Sequence, residues 1–250
     1  SATTTDDDVA GFTIVQSEAT TEVAESGTTD TFTVVLDAEP TSDVVLTVTS
    51  SDPGEATVTS TLTFTSANWD TPQTITVTGV NDDLIDGDIV STVTVVVDDA
   101  NSDDDFDAVA DQTISATTTD DDVAGFTIVE SDGSTEVAES GSTDTFTVVL
   151  DAQPTSDVVL TVTSSDTGEA TVTSSLTFTP ANWDTPQTIT ITGVDDDIID
   201  GTVTSTITIS VVDASSNDNF DSVADQTVSV TTTDDDVAGF TIVESDGSTE

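Results

Sequence analysis

The sequence repeats itself at a fixed interval of 114 residues. The pentapeptide GFTIV begins at residues 11, 125 and 239, and the two full copies align without a gap. A unit of this length can enclose its own hydrophobic core, whereas the shorter units of a solenoid depend on their neighbours. We therefore predict a piece of a longer array of independent domains. The predicted segments are the end of a preceding repeat with its linker (1–8), repeat 1 (9–122), repeat 2 (123–236) and the start of a third repeat (237–250).

Within each copy, apolar residues alternate with threonine over short runs. In residues 73–80, for example, Ile75 and Val77 alternate with three threonines. Alternation with a period of two is typical of a strand that buries one face, and no segment has helical spacing. The class predicted is all-β, as tandem immunoglobulin-like antiparallel β-sandwich domains of about seven strands each, without disulfides because cysteine is absent. The predicted strands of copy 1 lie within residues 12–15, 31–36, 44–49, 56–65, 73–80, 92–97 and 112–117.

The charge of the chain is entirely negative. It has 51 Asp and Glu residues and no Lys, Arg or His, which gives a net charge of −51. Nucleic acid is excluded as a partner because there is no basic patch, and no apolar run is long enough for a membrane span. Without His or Cys, zinc and copper lose their usual ligands. Oxygen ligands suit Ca²⁺ or Mg²⁺, and clustered carboxylates of flexible geometry suit Ca²⁺ better.

The acids concentrate in a few places of each copy. They form the junction triplet 120–122, the loop 80–88, the loop 98–107 and the glutamate of VAESG. A merely solvated acidic surface would scatter acids over exposed strand faces, but threonine occupies those positions. We therefore favour metal binding at the junction and in residues 81–86. For residues 103–107 both interpretations stay open, because copy 2 has Asn217 and Asn219 there.

The junction triplet has a geometry that suits two ions. Successive side chains of an extended segment point to opposite sides. Asp120 and Asp122 should therefore face one side, and Asp121 the other. Ions bound on both sides of a domain boundary would turn a flexible linker into a stiff one.

Each copy resembles a Calx-beta domain. The resemblance rests on the opening GFTIV, the glutamate in VAESG, the run LTFTPANWDTPQTITITGVDDDIIDG and the closing DDD, and it covers both complete copies. It implies a seven-stranded sandwich that binds Ca²⁺ at one end. The implied ligands of copy 1 are Glu25, Asp82, Asp86, Asp120, Asp121 and Asp122, with Asn81 in the place of Asp195. Those of copy 2 are Glu139, Asp195, Asp196, Asp200, Asp234, Asp235 and Asp236. The triplet before copy 1 is Asp6, Asp7 and Asp8, and the further candidates in the loop 98–107 and its counterpart are Asp103, Asp105, Asp107 and Asp221.

The same residues favour a structural function over catalysis. With no His, Cys or Lys, and with carboxylates in repeated, highly charged loops, we expect that the protein is not an enzyme. The run LTFT…NW…P…ITITG also resembles repeats of very large bacterial surface and secreted proteins. We expect an extracellular stalk of an adhesin, a surface filament or a matrix fibre, with neighbouring repeats as partners and Ca²⁺ at the domain junctions. One alternative is an array of carbohydrate- or cell-surface-binding modules that use Trp69. Another is a polymer of identical chains paired through edge strands.

Overall fold

The chain forms two compact units, and the division falls after Asp122. The computed structural model describes residues 7–243. The regular secondary structure of each unit is almost entirely β-strand, which confirms the predicted all-β class. The strands of unit 1 are β1 Phe12–Gln16, β2 Thr21–Ala24, β3 Thr29–Leu36, β4 Val44–Ser50, β5 Ala56–Val58, β6 Thr61–Phe64, β7 Gln73–Gly79, β8 Ile89–Val97 and β9 Gln112–Thr119. Those of unit 2 are β10 Phe126–Glu130, β11 Thr135–Ala138, β12 Thr143–Leu150, β13 Val158–Ser164, β14 Ala170–Val172, β15 Ser175–Phe178, β16 Gln187–Gly193, β17 Val203–Val211 and β18 Gln226–Thr233.

Each unit has one four-stranded and one five-stranded sheet. In unit 1 the orders are β1-β3-β7-β5 and β2-β9-β8-β4-β6. In unit 2 they are β10-β12-β16-β14 and β11-β18-β17-β13-β15. Within residues 7–243 the pairings are antiparallel, except that β2 runs parallel to β9 and β11 parallel to β18. The predicted antiparallel sandwich is thus confirmed, with one parallel edge in each unit.

The described part of each unit contains nine strands, where the sequence predicted about seven. One addition is β2, whose four residues are too few to show a clear alternation. The other arises because the predicted run 56–65 is two strands: β5 pairs with β7 in one sheet, and β6 pairs with β4 in the other. The chain crosses from one sheet to the other at Thr59 and Ser60. The alternation of apolar and polar residues continues across this crossing, so it does not reveal that the partner strand changes from β7 to β4.

The core lies between the two sheets and follows the predicted alternation. On β3, Phe32, Val34 and Leu36 are buried, and Phe32 lies opposite Ile75 of β7. Burying a side chain of this size contributes about 1.5–3 kcal/mol. Phe106, from a short 3₁₀ helix at Asp104–Phe106, is also buried in this core.

The strand directions place the connecting loops at two poles of each unit. In unit 1 the loops β2–β3, β4–β5 and β7–β8 meet the end of β9 at one pole, which we call the acidic pole. The loops β3–β4, β6–β7 and β8–β9 lie at the opposite pole. Among the described residues, no helix is long and apolar enough to cross a membrane.

Candidate metal centre

Four segments bring carboxylates together at the acidic pole of unit 1. Glu25 follows β2, and Glu55 immediately precedes β5. The β7–β8 loop supplies Asp82 and Asp86, and the segment after β9 supplies Asp120 and Asp122. Because these segments belong to both sheets, residues far apart in the sequence converge on one place.

Glu25 is the most deeply buried of these carboxylates. Its side chain is 1% exposed, and its backbone N–H donates to the carbonyl of Thr119, 3.1 Å away. Among the described residues, its Oε2 atom has no hydrogen-bond partner. Burial, followed by the negative charges of Asp120 and Asp82, raises the pKa of Glu25 from 4.5 to about 7. Glu25 is therefore a buried acid, and the chain has no cationic side chain that could compensate its ionised form.

Glu55 shares this environment. It is 6% exposed, and its carbonyl accepts a hydrogen bond of 2.8 Å from the N–H of Val80. Its Oε2 atom likewise has no partner within residues 7–243. Burial raises the pKa of Glu55, and the charges of Asp86 and Asp82 raise it further.

The carboxylates form two triads that share one residue. The first comprises Glu25, Glu55 and Asp86, and the second comprises Glu25, Asp82 and Asp122. In each triad the three candidate ligand oxygens lie within 4.8 Å of one another. Glu25 is thus the residue common to both triads.

Hydrogen bonds to the backbone hold the surrounding loops in place. The Oδ2 atom of Asp120 accepts from the N–H of Gly87 at 2.8 Å, and its Oδ1 atom accepts from the N–H of Asp122 at 2.8 Å. The Oδ1 atom of Asp82 accepts from the N–H of Leu84 at 2.7 Å. Gly87 has a φ of +77°, which favours glycine at this turn. Asp120 therefore ties the β7–β8 loop to the segment that follows β9.

The acidic pole of unit 2 also has two triads that share one glutamate, but its second triad contains Asp234, the counterpart of Asp120, and not the counterpart of Asp82. One triad comprises Glu139, Glu169 and Asp200, and the other comprises Glu139, Asp234 and Asp236. Hydrogen bonds from the N–H groups of Gly201 and Asp236 lower the pKa of Asp234, whereas burial and the charge of Asp234 raise that of Asp236. Asp196, the counterpart of Asp82, accepts from the N–H of Ile198 at 2.6 Å. Burial, followed by the charges of Asp234 and Asp196, raises the pKa of Glu139.

Several sequence-predicted ligands lie outside these triads. Asp121 and Asp235, the central residues of their triplets, are exposed. Asn81 is exposed and donates through Nδ2 to the carbonyl of Asp82, and Asp195 is exposed too. Asp7 and Asp8 are exposed before β1, so they lie near the opposite pole of unit 1. Asp6 lies outside the described residues.

The predicted site in the loop 98–107 lies at the opposite pole, and the structure gives Asp103 another role. Its Oδ2 atom accepts from the N–H and the hydroxyl of Thr41 and from the N–H of Ser42, at 2.7–2.8 Å. Its Oδ1 atom accepts from the N–H of Asp105. The Thr41 hydroxyl and these backbone donors lower the pKa of Asp103 to about 2.

The other acids predicted in this loop and its counterpart are exposed. Asp105, Asp107 and Asp221 are accessible to solvent. Partial desolvation of their carboxylates, followed by the charges of neighbouring aspartates, raises the pKa values of Asp107 and Asp221. Asn217, the counterpart of Asp103, donates through Nδ2 to the hydroxyls of Thr155 and Ser156. Asp103 therefore joins the β8–β9 loop to the β3–β4 loop in unit 1, and Asn217 joins the β17–β18 loop to the β12–β13 loop in unit 2.

Glu55 and Glu169 are the ligand candidates that sequence reasoning missed. Both occur in the tripeptide Gly-Glu-Ala, at 54–56 and 168–170, directly before a short strand. That repetition was the available signal. Assigning it required knowing that the β4–β5 loop reaches the same pole as VAESG.

The residues of each acidic pole fit a hard cation. Every side-chain donor in the triads is a carboxylate oxygen, which is the ligand type of Ca²⁺. Within residues 7–243, the carboxylate oxygens that are buried without a hydrogen-bond partner belong to Glu25, Glu55, Asp122, Glu139, Glu169 and Asp236. All six residues are members of the triads. A bound cation would compensate both the lost hydration and the mutual repulsion.

Comparison with solved structures finds similar all-β proteins at low identity. The calcium-binding domain CBD12 of CALX1.1 is 15% identical, with a TM-score of 0.33 and coverage of 79% of this chain and 80% of that chain. Domains 4 and 5 of the S-layer protein SbsC are 18% identical, with a TM-score of 0.36 and coverage of 90% and 99%. An endo-fucoidan hydrolase of glycoside hydrolase family 107 is 13% identical, with a TM-score of 0.31 and coverage of 94% and 30%. These likenesses extend to an all-β fold and carry no argument about ligand or activity.

Comparison of the sequence itself finds no relative. No protein-family model matches the chain, and no curated protein does so either.

Proposed function

We propose that the chain is a stretch of an extracellular structural protein whose β-sandwich repeats each bind Ca²⁺ at the acidic pole. The observation that carries the proposal is the buried carboxylate of Glu25, repeated at Glu139. Each has an oxygen that lacks a partner within the described part of the chain, and each lies among further carboxylates. The chain contains no cationic side chain that could neutralise them.

Each acidic pole would hold two ions. Glu25 would contact both, with Glu55 and Asp86 around one ion and Asp82 and Asp122 around the other. Ca²⁺ takes six to eight oxygens, so waters or backbone carbonyls would complete each shell. Extracellular modules bind Ca²⁺ with dissociation constants of about 10⁻⁴–10⁻³ M, which suits a calcium-rich medium outside the cell.

Bound ions would also stiffen the linker between repeats. Asp120 and Asp122 belong to the segment that leaves β9, and β10 begins at Phe126. When linker residues are themselves ligands, the linker loses conformational freedom as the ion binds. This supports a stalk, surface filament or matrix fibre of tandem domains, with neighbouring repeats as partners.

A structural role has more support than catalysis or sugar binding. The raised pKa of Glu25 is a feature that the sequence did not lead us to expect, and raised pKa values occur in catalytic acids. Here, however, the acid shares its site with a cluster of carboxylates that suits a cation. Trp69, the candidate sugar platform, is partly buried against the core of unit 1, which leaves less of its ring for a ligand.

A thermal melt of residues 1–250 with calcium, with magnesium and with chelator tests the proposal at fixed ionic strength. We expect calcium to raise the melting temperature well above that in chelator, and magnesium to raise it less. Glu39→Gln serves as a matched control, because Glu39 is exposed at the opposite pole of unit 1. Equal melting in all three solutions would show that the carboxylates are only solvated.

Small-angle X-ray scattering in the same solutions tests the stiffening of the linker separately. We expect the distribution of distances within the molecule to narrow when calcium is added. If the distance distribution is unchanged while the melting temperature depends on calcium, the binding site is supported and the stiffening of the linker is refuted.

A further inference from the structure

A glycine at the end of β7 lies in backbone contact with the end of β2. A Cβ atom built on Gly79 would lie 2.7 Å from the carbonyl carbon of Ala24 and closer still to its oxygen. Gly193 has the same relation to Ala138, where the distance to the carbonyl carbon is 2.8 Å. Real Cβ atoms essentially never approach other atoms this closely, so any side chain at these positions must displace the backbone opposite.

This contact joins the two sheets of the sandwich. β2 belongs to the five-stranded sheet and β7 to the four-stranded sheet, and packed sheets are usually about 10 Å apart. At the acidic pole they converge until the two backbones touch. We call this contact, formed by Ala24 and Gly79 in unit 1, the pinch.

The pinch lies directly beside the proposed cation site. Glu25 follows Ala24 in the chain, and Ala56, which follows Glu55, lies opposite Gly79 in the β5–β7 pair. The approach of Ala24 to Gly79 therefore places Glu25 from one sheet beside Glu55 from the other. Both glutamates belong to the triad that includes Asp86.

Hydrogen bonds within the chain hold the pinch closed. The N–H of Gly79 donates to the carbonyl of Thr28 at 3.0 Å, and the N–H of Ala24 donates to the Thr28 hydroxyl at 2.6 Å. The N–H of Glu25 donates to the carbonyl of Thr119 at 3.1 Å. In unit 2 the hydroxyl and the carbonyl of Ser142 make the equivalent bonds to Ala138 and Gly193. None of these bonds involves a carboxylate, so all of them can persist when a cation leaves.

We propose that Gly79 and Gly193 are positioning residues for the cation sites. Their missing side chains let the sheets close at the acidic pole, which sets the separation of the two glutamates before an ion arrives. This inference rests on the proposed calcium function. Calcium–oxygen distances lie within about 2.3–2.6 Å, and a site that is loose by about 1 Å loses much of its function. A methyl group at residue 79 demands a displacement of that order.

Calorimetric titration of residues 1–250 with CaCl₂ tests the proposal, and the duplicated chain supplies its own reference. In Gly79→Ala we expect the sites of unit 1 to bind on the order of 10-fold more weakly or worse, while those of unit 2 keep the wild-type affinity. Gly193→Ala should give the converse. Val77→Ala is the matched control, because it truncates a fully buried side chain on the same strand without entering the pinch. It should lower the melting temperature in chelator and leave the dissociation constants unchanged at a temperature where the variant is folded.

The outcomes separate this inference from the function on which it rests. If the wild type binds no calcium, the proposed function fails. If the wild type binds and Gly79→Ala binds equally well, or if Val77→Ala weakens binding as much, the positioning role is refuted.

Amide hydrogen exchange of the wild type in chelator provides a measurement that does not depend on a variant folding. We expect the N–H groups of Glu25 and Gly79 to stay protected without calcium, because the bonds of the pinch are internal. Exchange at the rate of open loop amides would show that the ion creates the pinch, and would overturn the proposal.

Discussion

Replacing Glu25 by glutamine should change the stability of unit 1 in opposite directions with and without calcium. In the calcium-free protein, the shift of the Glu25 pKa from 4.5 to about 7 disfavours its ionised form. Each pKa unit corresponds to about 1.4 kcal/mol, so ionised Glu25 costs the folded state roughly 3 kcal/mol. Glutamine has nearly the same shape and no charge. The glutamine amide would still be a buried polar group, and its burial offsets part of the roughly 3 kcal/mol that is gained by removing the charge. We therefore expect Glu25→Gln to stabilise the calcium-free unit by about 2 kcal/mol at pH 8.5.

The pH dependence follows from the sign of that shift. Because the folded-state pKa lies above the unfolded value, the neutral acid contributes stability that is fully present below pH 4.5. That stability is lost as the pH rises through about 7. The advantage of Glu25→Gln in chelator should therefore be small at pH 4.5 and largest above pH 8.

With calcium the sign should reverse. Glu25 belongs to both triads, so Glu25→Gln removes a charged ligand from both proposed ions of unit 1. We expect the calcium-dependent rise in melting temperature to disappear for unit 1 and to persist for unit 2. For a domain of this size, a change of about 2 kcal/mol in the free energy of unfolding shifts the melting temperature by roughly 10 °C, which differential scanning calorimetry resolves easily.

The Glu39→Gln control distinguishes the loss of a carboxylate in the proposed site from the loss of one negative charge elsewhere on the protein. It removes one negative charge from an exposed position, so its effect should be within about 0.5 kcal/mol in either solution. The reasoning is refuted if Glu25→Gln melts below the wild type in chelator at pH 8.5. The reasoning is also refuted if Glu25→Gln keeps the full calcium-dependent rise in melting temperature in both units.

Three further predictions concern individual carboxylates. Glu55→Gln should weaken calcium binding in unit 1 and Glu169→Gln in unit 2, and a calorimetric titration that detects no change would exclude the β4–β5 loop from the site. Asp103→Ala should destabilise unit 1 by about 3 kcal/mol in urea unfolding with chelator, because three backbone donors lose their acceptor. Asp103→Asn should cost less, since Asn217 occupies this position in unit 2, and an equal loss would argue against the hydrogen-bond explanation. Asp121→Asn should leave the calcium-dependent rise in melting temperature unchanged because Asp121 lies outside both triads of unit 1, and a lost rise would place Asp121 among the ligands.

The strands could be predicted because burial between two sheets imposes an alternation on the sequence. On β7, Ile75 and Val77 are buried and the intervening threonines are not. The sequence could not show that residues 56–65 change sheets, since alternation records only which face is buried and not which strand is the neighbour. β2 escaped prediction for a different reason, because its four residues are too few to show a clear alternation.

The candidate site could be predicted only where acids cluster in the sequence. Acidic stretches of the sequence contain Asp82, Asp86 and Asp122. Glu55, in contrast, directly precedes the predicted strand run 56–65, which contains no acid, and only the fold brings it close to Glu25. Asp103 shows a different ambiguity, because an acid in a loop has the same appearance in the sequence whether it accepts hydrogen bonds or binds an ion. Comparison of the two copies gives a partial signal: asparagine replaces Asp103 in copy 2, while Glu25, Glu55 and Asp86 keep their carboxylates.

The distribution of charge limits what bound calcium can do for this protein. Two ions in each of two copies would supply eight positive charges against a net charge of −51. Calcium at the acidic poles therefore cannot neutralise the chain, and most carboxylates depend on water and dissolved salt for screening. Bound ions would act where carboxylates are buried and crowded, at the pole where the pinch draws the sheets together. Calcium at millimolar concentration and sodium chloride at high concentration should accordingly stabilise the protein by separate routes, the first through Glu25 and Glu139 and the second through the exposed acids.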